Sequence, residues 1–410
     1  MASPNGSFFT TIITRNVCRD IRRQILLCRS LSSASSSEAS ASVEEQLSMP
    51  VNLSEDYGDS NKWDDLKTRI FSLRMPKRSA TNVLERWVGE GRKIDISDLR
   101  SISKELRQSQ RFKHALEISE WMVSHDEFEI TDSDFAVRVD LMNKVFGIDA
   151  AERYFEALPS DIKTRETYTA ILHCYAGSRL VDKAEALYNR MKEAKLDLTA
   201  VTYNELMTLY MSLGQLEKVP QVIEEMKSQN VALDLFTYHL WISSFAAALK
   251  IDEVQRILQE MSSCARSDAS WKRYVELVNI YLASGHLVNS TQASLVESEK
   301  SISQREWITY DLLIILYGGL GNKDKLDQVW RSLRMTKQKM IGRNYASVIS
   351  SYLLLDHLKE VREIIGQWKQ SAATDFDIHI CNRLKKAFTE IGMSEKAEAL
   401  EAILSEQRCA

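Results

Sequence analysis

The chain has 410 residues, 44% hydrophobic and 27% charged, with only 14 glycines and 5 prolines and a formal net charge of −4. That is ample material for an extended core, suits a long helical protein and argues against disorder over most of the length. No apolar run approaches the roughly 18 residues a membrane span needs, and six cysteines (18, 28, 174, 264, 381 and 409) with no C-x-x-C pair read as scattered reduced thiols rather than a disulfide frame or metal site.

Residues 1–37 differ from everything after them. Arg15, Arg19, Arg22, Arg23 and Arg29 stand against one acid, Asp20, beside a helical stripe of Ile13, Val17, Ile21 and Ile25. A run rich in Ser and Ala comes next. Amphipathic, Arg-rich, Ser-rich and acid-poor describes an organellar transit peptide. The arginine stripe points to the mitochondrion; the MAS start and the Ser run keep the chloroplast as the alternative. Without residues 1–37 the chain carries 48 basic and 56 acidic side chains, a net of −8. That balance gives no help to non-specific nucleic-acid binding, which rests on phosphate neutralisation.

Residues 38–62 are polar and acidic and read as a linker. Helical periodicity begins at Trp63 with Leu66, Ile70 and Leu73, breaks at Pro76, and resumes with Val83, Leu84, Trp87 and Val88. Residues 63–95 therefore read as an N-terminal helical cap on the rest of the chain.

From 167 to 261 one sentence is written three times. Tyr168, Tyr203 and Tyr238 are spaced by 35 residues, as are Met191, Met226 and Met261. Such a period marks a repeat array. Tyr203, Leu206, Met207 and Tyr210 form one apolar helical face; after Gly214, Leu216, Val219, Val222, Ile223 and Met226 form a second. Neither helix buries its stripe alone, so stacked pairs are expected to build an all-α superhelical solenoid. Weaker copies place Leu99, Phe135, Tyr274, Tyr310, Tyr345 and Cys381 in the tyrosine slot. The array then spans 96–410 in about nine units, starting near 96, 132, 165, 200, 235, 271, 307, 342 and 378. Glu297 is the outlier among closing positions, within a polar stretch at 288–306.

No catalytic constellation stands out: there is no G-x-x-x-x-G-K-[S/T], no H-E-x-x-H, and no zinc-deaminase signature. No catalytic residue, metal ligand or cofactor is assigned, and the chain is not read as an enzyme. Gly318, Gly319 and Gly321 read as a loop between helices. His173, His239, His286, His357 and His379 sit at unlike repeat positions and read as surface or groove residues. Tyr168, Tyr203 and Tyr238 read as core.

The T-Y-(N/T/H) opening, the small residue sixteen after the tyrosine and the closing Met resemble the pentatricopeptide repeat family, P-class; the start of the helical part, from KWDDLKTRIF to HALEISEWM, resembles its short plant mitochondrial members. The resemblance implies a groove of first helices that takes single-stranded RNA, one base per repeat. The residue after the tyrosine and the last residue of the repeat would then read the base edge: Thr169 with Thr199, Asn204 with Asp234, and His239 with Ser270. Of these, Asn204/Asp234 matches a family combination, and it implies uracil. Val201 and Phe236 would sandwich that base. Bland readings stand beside these, with Asn204 a soluble residue at a helix start and Asp234 an N-cap. Other slots hold Ala136, Val275, Ile341 and Ala346, which cannot read a base edge.

These readings lead to two functions. One is an organellar single-stranded-RNA adaptor acting on mitochondrial transcripts in processing, stability or translation. The alternative is a protein-interaction scaffold, for example a subunit associated with the mitochondrial ribosome. No membrane partner is expected.

Overall fold

The computed structural model describes residues 65–73, 79–263, 268–284, 298–335, 340–371 and 376–409. The transit peptide (1–37), the linker (38–62), Trp63, Pro76, His286 and Glu297 lie outside the described residues. Nineteen α-helices and no strand occur among those described, so the chain is all-α, as the repeat period implies.

Two compact units divide the chain between Glu205 and Leu206. The first holds α1 (Leu66–Phe71), α2 (Ala80–Gly89), α3 (Ile96–Gln108), α4 (Phe112–Val123), α5 (Asp132–Phe146), α6 (Ile148–Ala157), α7 (Arg165–Ser178) and α8 (Val181–Glu193). The division falls inside α9 (Ala200–Leu213). The second unit continues with α10 (Lys218–Ser228), α11 (Leu235–Ala247), α12 (Ile251–Ser263), α13 (Ala269–Ala283), α14 (Ser298–Leu320), α15 (Lys323–Met335), α16 (Gly342–Leu354), α17 (Leu358–Lys369), α18 (Ile378–Glu390) and α19 (Ser394–Cys409).

Local chemistry starts these helices where the sequence has short polar residues. Asp65, Ser79 and Asp95 accept from the backbone N–H of Thr68, Thr81 and Ser97, capping α1 to α3. Asp134 reaches back to the Thr131 N–H to open α5. The first two helices are also tied to α4 and its N-cap residue, Arg111. Arg111 donates to the carbonyls of Phe71 (2.7 Å) and Leu73 (2.6 Å) at the end of α1, and Glu117 accepts from the Ala80 N–H at the start of α2 (2.6 Å).

The tyrosine slots set the packing. Leu99, Tyr168, Tyr203, Tyr238, Tyr274, Tyr310, Tyr345 and Cys381 are all buried, while Phe135 is only half-buried; Ala115, Ala151, Ala184, Val219, Val254, Leu326, Val361 and Ala397, each sixteen residues after a slot, are buried too. The backbone carries a second marker of the register. Gln110, Arg179, Gly214, Leu249, Gly321, Asp356 and Gly392 have positive φ, and each stands eleven residues after its slot. One left-handed residue there turns the first helix into the second. Non-glycine residues hold that conformation at about 1 kcal/mol each or more, so the repeat geometry and not local preference decides it. In the first unit α3, α5 and α7 each pack on their own second helix, and α5 also packs on the next first helix, α7.

The structure departs from the sequence expectation around 307. The repeat register places a break before the first helix of that unit, but α14 runs without interruption from Ser298 to Leu320. Gly318 and Gly319 belong to this helix rather than to a loop; of the three glycines Gly321 alone turns the chain, at φ +71°. The reason is steric. A Cβ on Gly319 would lie 2.8 Å from Tyr274 Cβ and 2.9 Å from its Cα, so the two glycines let α14 approach α13 and α16 closely. Gly319→Ala would gain about 1 kcal/mol of helix propensity but overpack against backbone, at about 1–3 kcal/mol. The clash wins: a lower urea midpoint is expected, and a raised one would show that α13 and α14 do not meet this way.

Candidate nucleic-acid interface

In the first unit the first helices keep a half-buried polar face. Arg100, one residue after the Leu99 slot, binds Asp134 through Nε (3.1 Å) and Nη2 (2.7 Å). Burial pushes the Asp134 carboxyl up, but the Arg100 guanidinium and the Thr131 N–H and hydroxyl outweigh it and hold the group below the usual carboxylate range. Two helical turns along, Arg107 is pushed down by burial and drawn back up by Asp140, and its Nε has no hydrogen-bond partner. A cavity of about 90 Å³ lies between α3, α4 and α5, lined by Arg100, Ser103, Arg107, Ser119, Ser133 and Asp134 among others.

Farther along, α7 and α9 are bridged. Thr169 Oγ1 lies 3.3 Å from Thr202 Oγ1, and His173 Nδ1 lies 2.8 Å from Glu205 Oε1. Thr169 and Thr199 remain half-buried, and Val201 is 42% exposed. Asn204 is only 2% exposed.

In the second unit Asp234 is the N-cap of α11, accepting from the Thr237 N–H and hydroxyl at 2.7 Å each. The Phe236 ring stacks on His239 of its own helix, 6.0 Å between centroids. His239, which the sequence places as a groove residue and base reader, is 2% exposed, and its Nδ1 lies 3.3 Å from the Tyr274 hydroxyl. Burial lowers its pKa to about 3, so the imidazole is neutral. The polar residue is internal here because α11 is buried on nearly every side from Thr237 to Ala247.

One cluster is not visible in the sequence. Asp311, directly after Tyr310, is fully buried. Its Oδ2 accepts from Arg343 Nε (2.7 Å) and the Tyr281 hydroxyl (3.1 Å), and its Oδ1 accepts from Asn344 Nδ2 (2.8 Å). The available signal is opposite charge on successive first helices 32 or 33 residues apart, just short of one repeat, the same offset as in the Thr169–Thr202 and His173–Glu205 bridges.

Among the described residues no helix is long and apolar enough to cross a membrane, and no group of three His, Cys, Asp or Glu side chains converges as a metal site would.

Known proteins resemble this chain along most of its length. The PPR repeat profile matches residues 166–196 and 236–264, and the PPR repeat family profile matches 198–247. A mitochondrial pentatricopeptide repeat-containing protein of Arabidopsis thaliana is 52% identical over 393 residues, 96% of this chain and 95% of that protein. Large ribosomal subunit protein mL101 of the same plant is 47% identical over 298 residues, 73% of this chain and 60% of that protein. Among solved structures, the pentatricopeptide repeat protein PPR10 in complex with an 18-nt psaJ RNA element is 17% identical, with a TM-score of 0.39, over 80% of this chain and 47% of that one.

Proposed function

The chain belongs to the pentatricopeptide repeat family, and from that premise we propose that it is an adaptor that binds single-stranded RNA and acts on organellar transcripts without chemistry of its own. It is a mitochondrial protein, as its relatives at 52% and 32% identity are. The observation that carries the RNA reading is the half-buried polar face of the first helices in the first unit, with Arg100 and Arg107 on α3 and Thr169 on α7. Unstacked bases offer edges that such side chains read, while cations meet the backbone.

Base reading is proposed for Thr169 with Thr199 and for Asn204 with Asp234, with Val201 and Phe236 flanking the base at the latter. The Asn amide both donates and accepts, which suits a uracil edge. Selection of full-length protein from a random single-stranded RNA pool tests this. The Asn204→Thr variant should move the preference at one position from U towards G, by about 1–3 kcal/mol, the size of a base-edge contact. Affinity that falls equally for all four bases, or does not change, would mean that this repeat does not read sequence.

A scaffold on the mitochondrial ribosome is the second reading. It is favoured by the 47% identity to a large ribosomal subunit protein and by the polar residues turned inward in the second unit. Under that reading the tagged chain sediments with large ribosomal subunits after RNase treatment of free RNA; under the first it does not.

A further inference from the structure

We infer that RNA contact in this chain stops short of His239, and that the later repeats have turned their base-facing slots inward as a closed polar core. The inference rests on the RNA reading above and adds where the footprint ends.

From His239 onward each slot is taken or unable to read. His239 Nδ1 lies 3.3 Å from the Tyr274 hydroxyl on the next first helix, a partner a base would have to displace. Val275 has no polar edge. Asp311 accepts from three side chains on two other helices, α13 and α16, so its carboxylate has no face left for a base. Arg343 and Asn344 sit in the opening positions of the next repeat, where a sandwiching residue and a groove cation would be useful, and both are committed to Asp311. Ala346 is buried and apolar.

The backbone arrangement explains the closure. In this unit first helices pack beyond their immediate successors: α11 on α14, and α13 on α14, α16 and α18. A helix that meets neighbours on so many sides keeps no open face, and α16 is buried at every residue from Arg343 to Leu353. In the first unit α5 is different, since only Val139 and Leu141 of its fifteen residues are buried. Charge points the same way. A nucleic-acid site needs cations free to neutralise phosphate, and the Arg343 guanidinium is 6% exposed and neutralised by Asp311 instead.

The test uses full-length protein and a random single-stranded RNA pool carrying 4-thiouridine, photocross-linked and mapped by mass spectrometry. Cross-linked peptides are expected from α3, α5, α7 and the start of α9, and none from α13, α14 or α16. Cross-links on any of those three helices overturn the inference while leaving RNA binding intact. A pool that is not retained at all removes the RNA reading and this inference with it. The paired variant Asp311→Asn with Arg343→Leu provides a second readout: affinity for the same pool should stay within twofold of the unaltered chain. A loss of tenfold or more, with helicity retained by circular dichroism, would show that the cluster serves RNA after all.

Discussion

Arg343→Leu is expected to lower the stability of the chain at pH 7 by about 3–5 kcal/mol, because it strands a buried carboxylate. Asp311 is fully buried and Arg343 6% exposed, so solvent does little to screen the loss. The attraction between the pair is offset by the desolvation of both ions, and the pair itself is therefore a weak source of stability; the large number belongs to the unpaired charge. That distinction can be measured. Adding Asp311→Asn removes the stranded charge while leaving a carbonyl that accepts from the Asn344 amide and an NH2 that can donate to the Tyr281 hydroxyl. The double variant should recover at least half of the loss in denaturant midpoint. A single variant within about 1 kcal/mol of the starting protein, far below the cost of an uncompensated buried charge, or a double variant worse than the single, would mean that these groups are not enclosed together.

Acidification should destabilise the second unit through His239. In the unfolded chain the imidazole takes up a proton near pH 6.5, whereas burial holds the folded-state value down at about 3. Above about pH 6.5 both states are neutral and nothing is lost. As the pH falls from there towards 3, the unfolded state binds a proton that the folded state refuses, and stability drains at about 1.4 kcal/mol per pH unit. By about pH 5 that is about 2 kcal/mol. His239→Gln keeps an acceptor for the Tyr274 hydroxyl and does not titrate. The difference in stability between about pH 7 and about pH 5 should therefore shrink by about 2 kcal/mol in this variant, as read from denaturant melts at the two pH values. An unchanged difference would place His239 in solvent, where the groove reading puts it.

The period carried most of the architecture. Because Tyr203, Tyr238 and Tyr310 recur in one register with apolar residues three and four on, that register can be run outward, and the buried slots and left-handed turns fall where it puts them except in the unit of Phe135, which is half-buried and followed by its turn twelve residues on, at Gly147. What the sequence hid has a common cause. Asp311, Arg343, Asn344 and His239 are polar, and a polar residue on a first helix reads equally as groove lining or as half of an internal pair; the partner lies about a repeat away and only packing brings it near. Gly318 and Gly319 mislead for a related reason. Glycine punctuates loops by default, yet here it serves the close approach of Tyr274 and Ser351 to a continuous helix. Asp234 carries two readings in the sequence, a base reader by resemblance and an N-cap by its short carboxylate at a helix start, and the structure has it capping α11.

The most direct measurement is sequencing of the RNA cross-linked to the tagged full-length chain in isolated mitochondria. An adaptor for single-stranded transcripts predicts short, reproducible footprints on a limited set of RNAs, absent from an untagged control. Recovery of nothing above that control, or of large-subunit ribosomal RNA alone in proportion to co-purified ribosomal proteins, would contradict it.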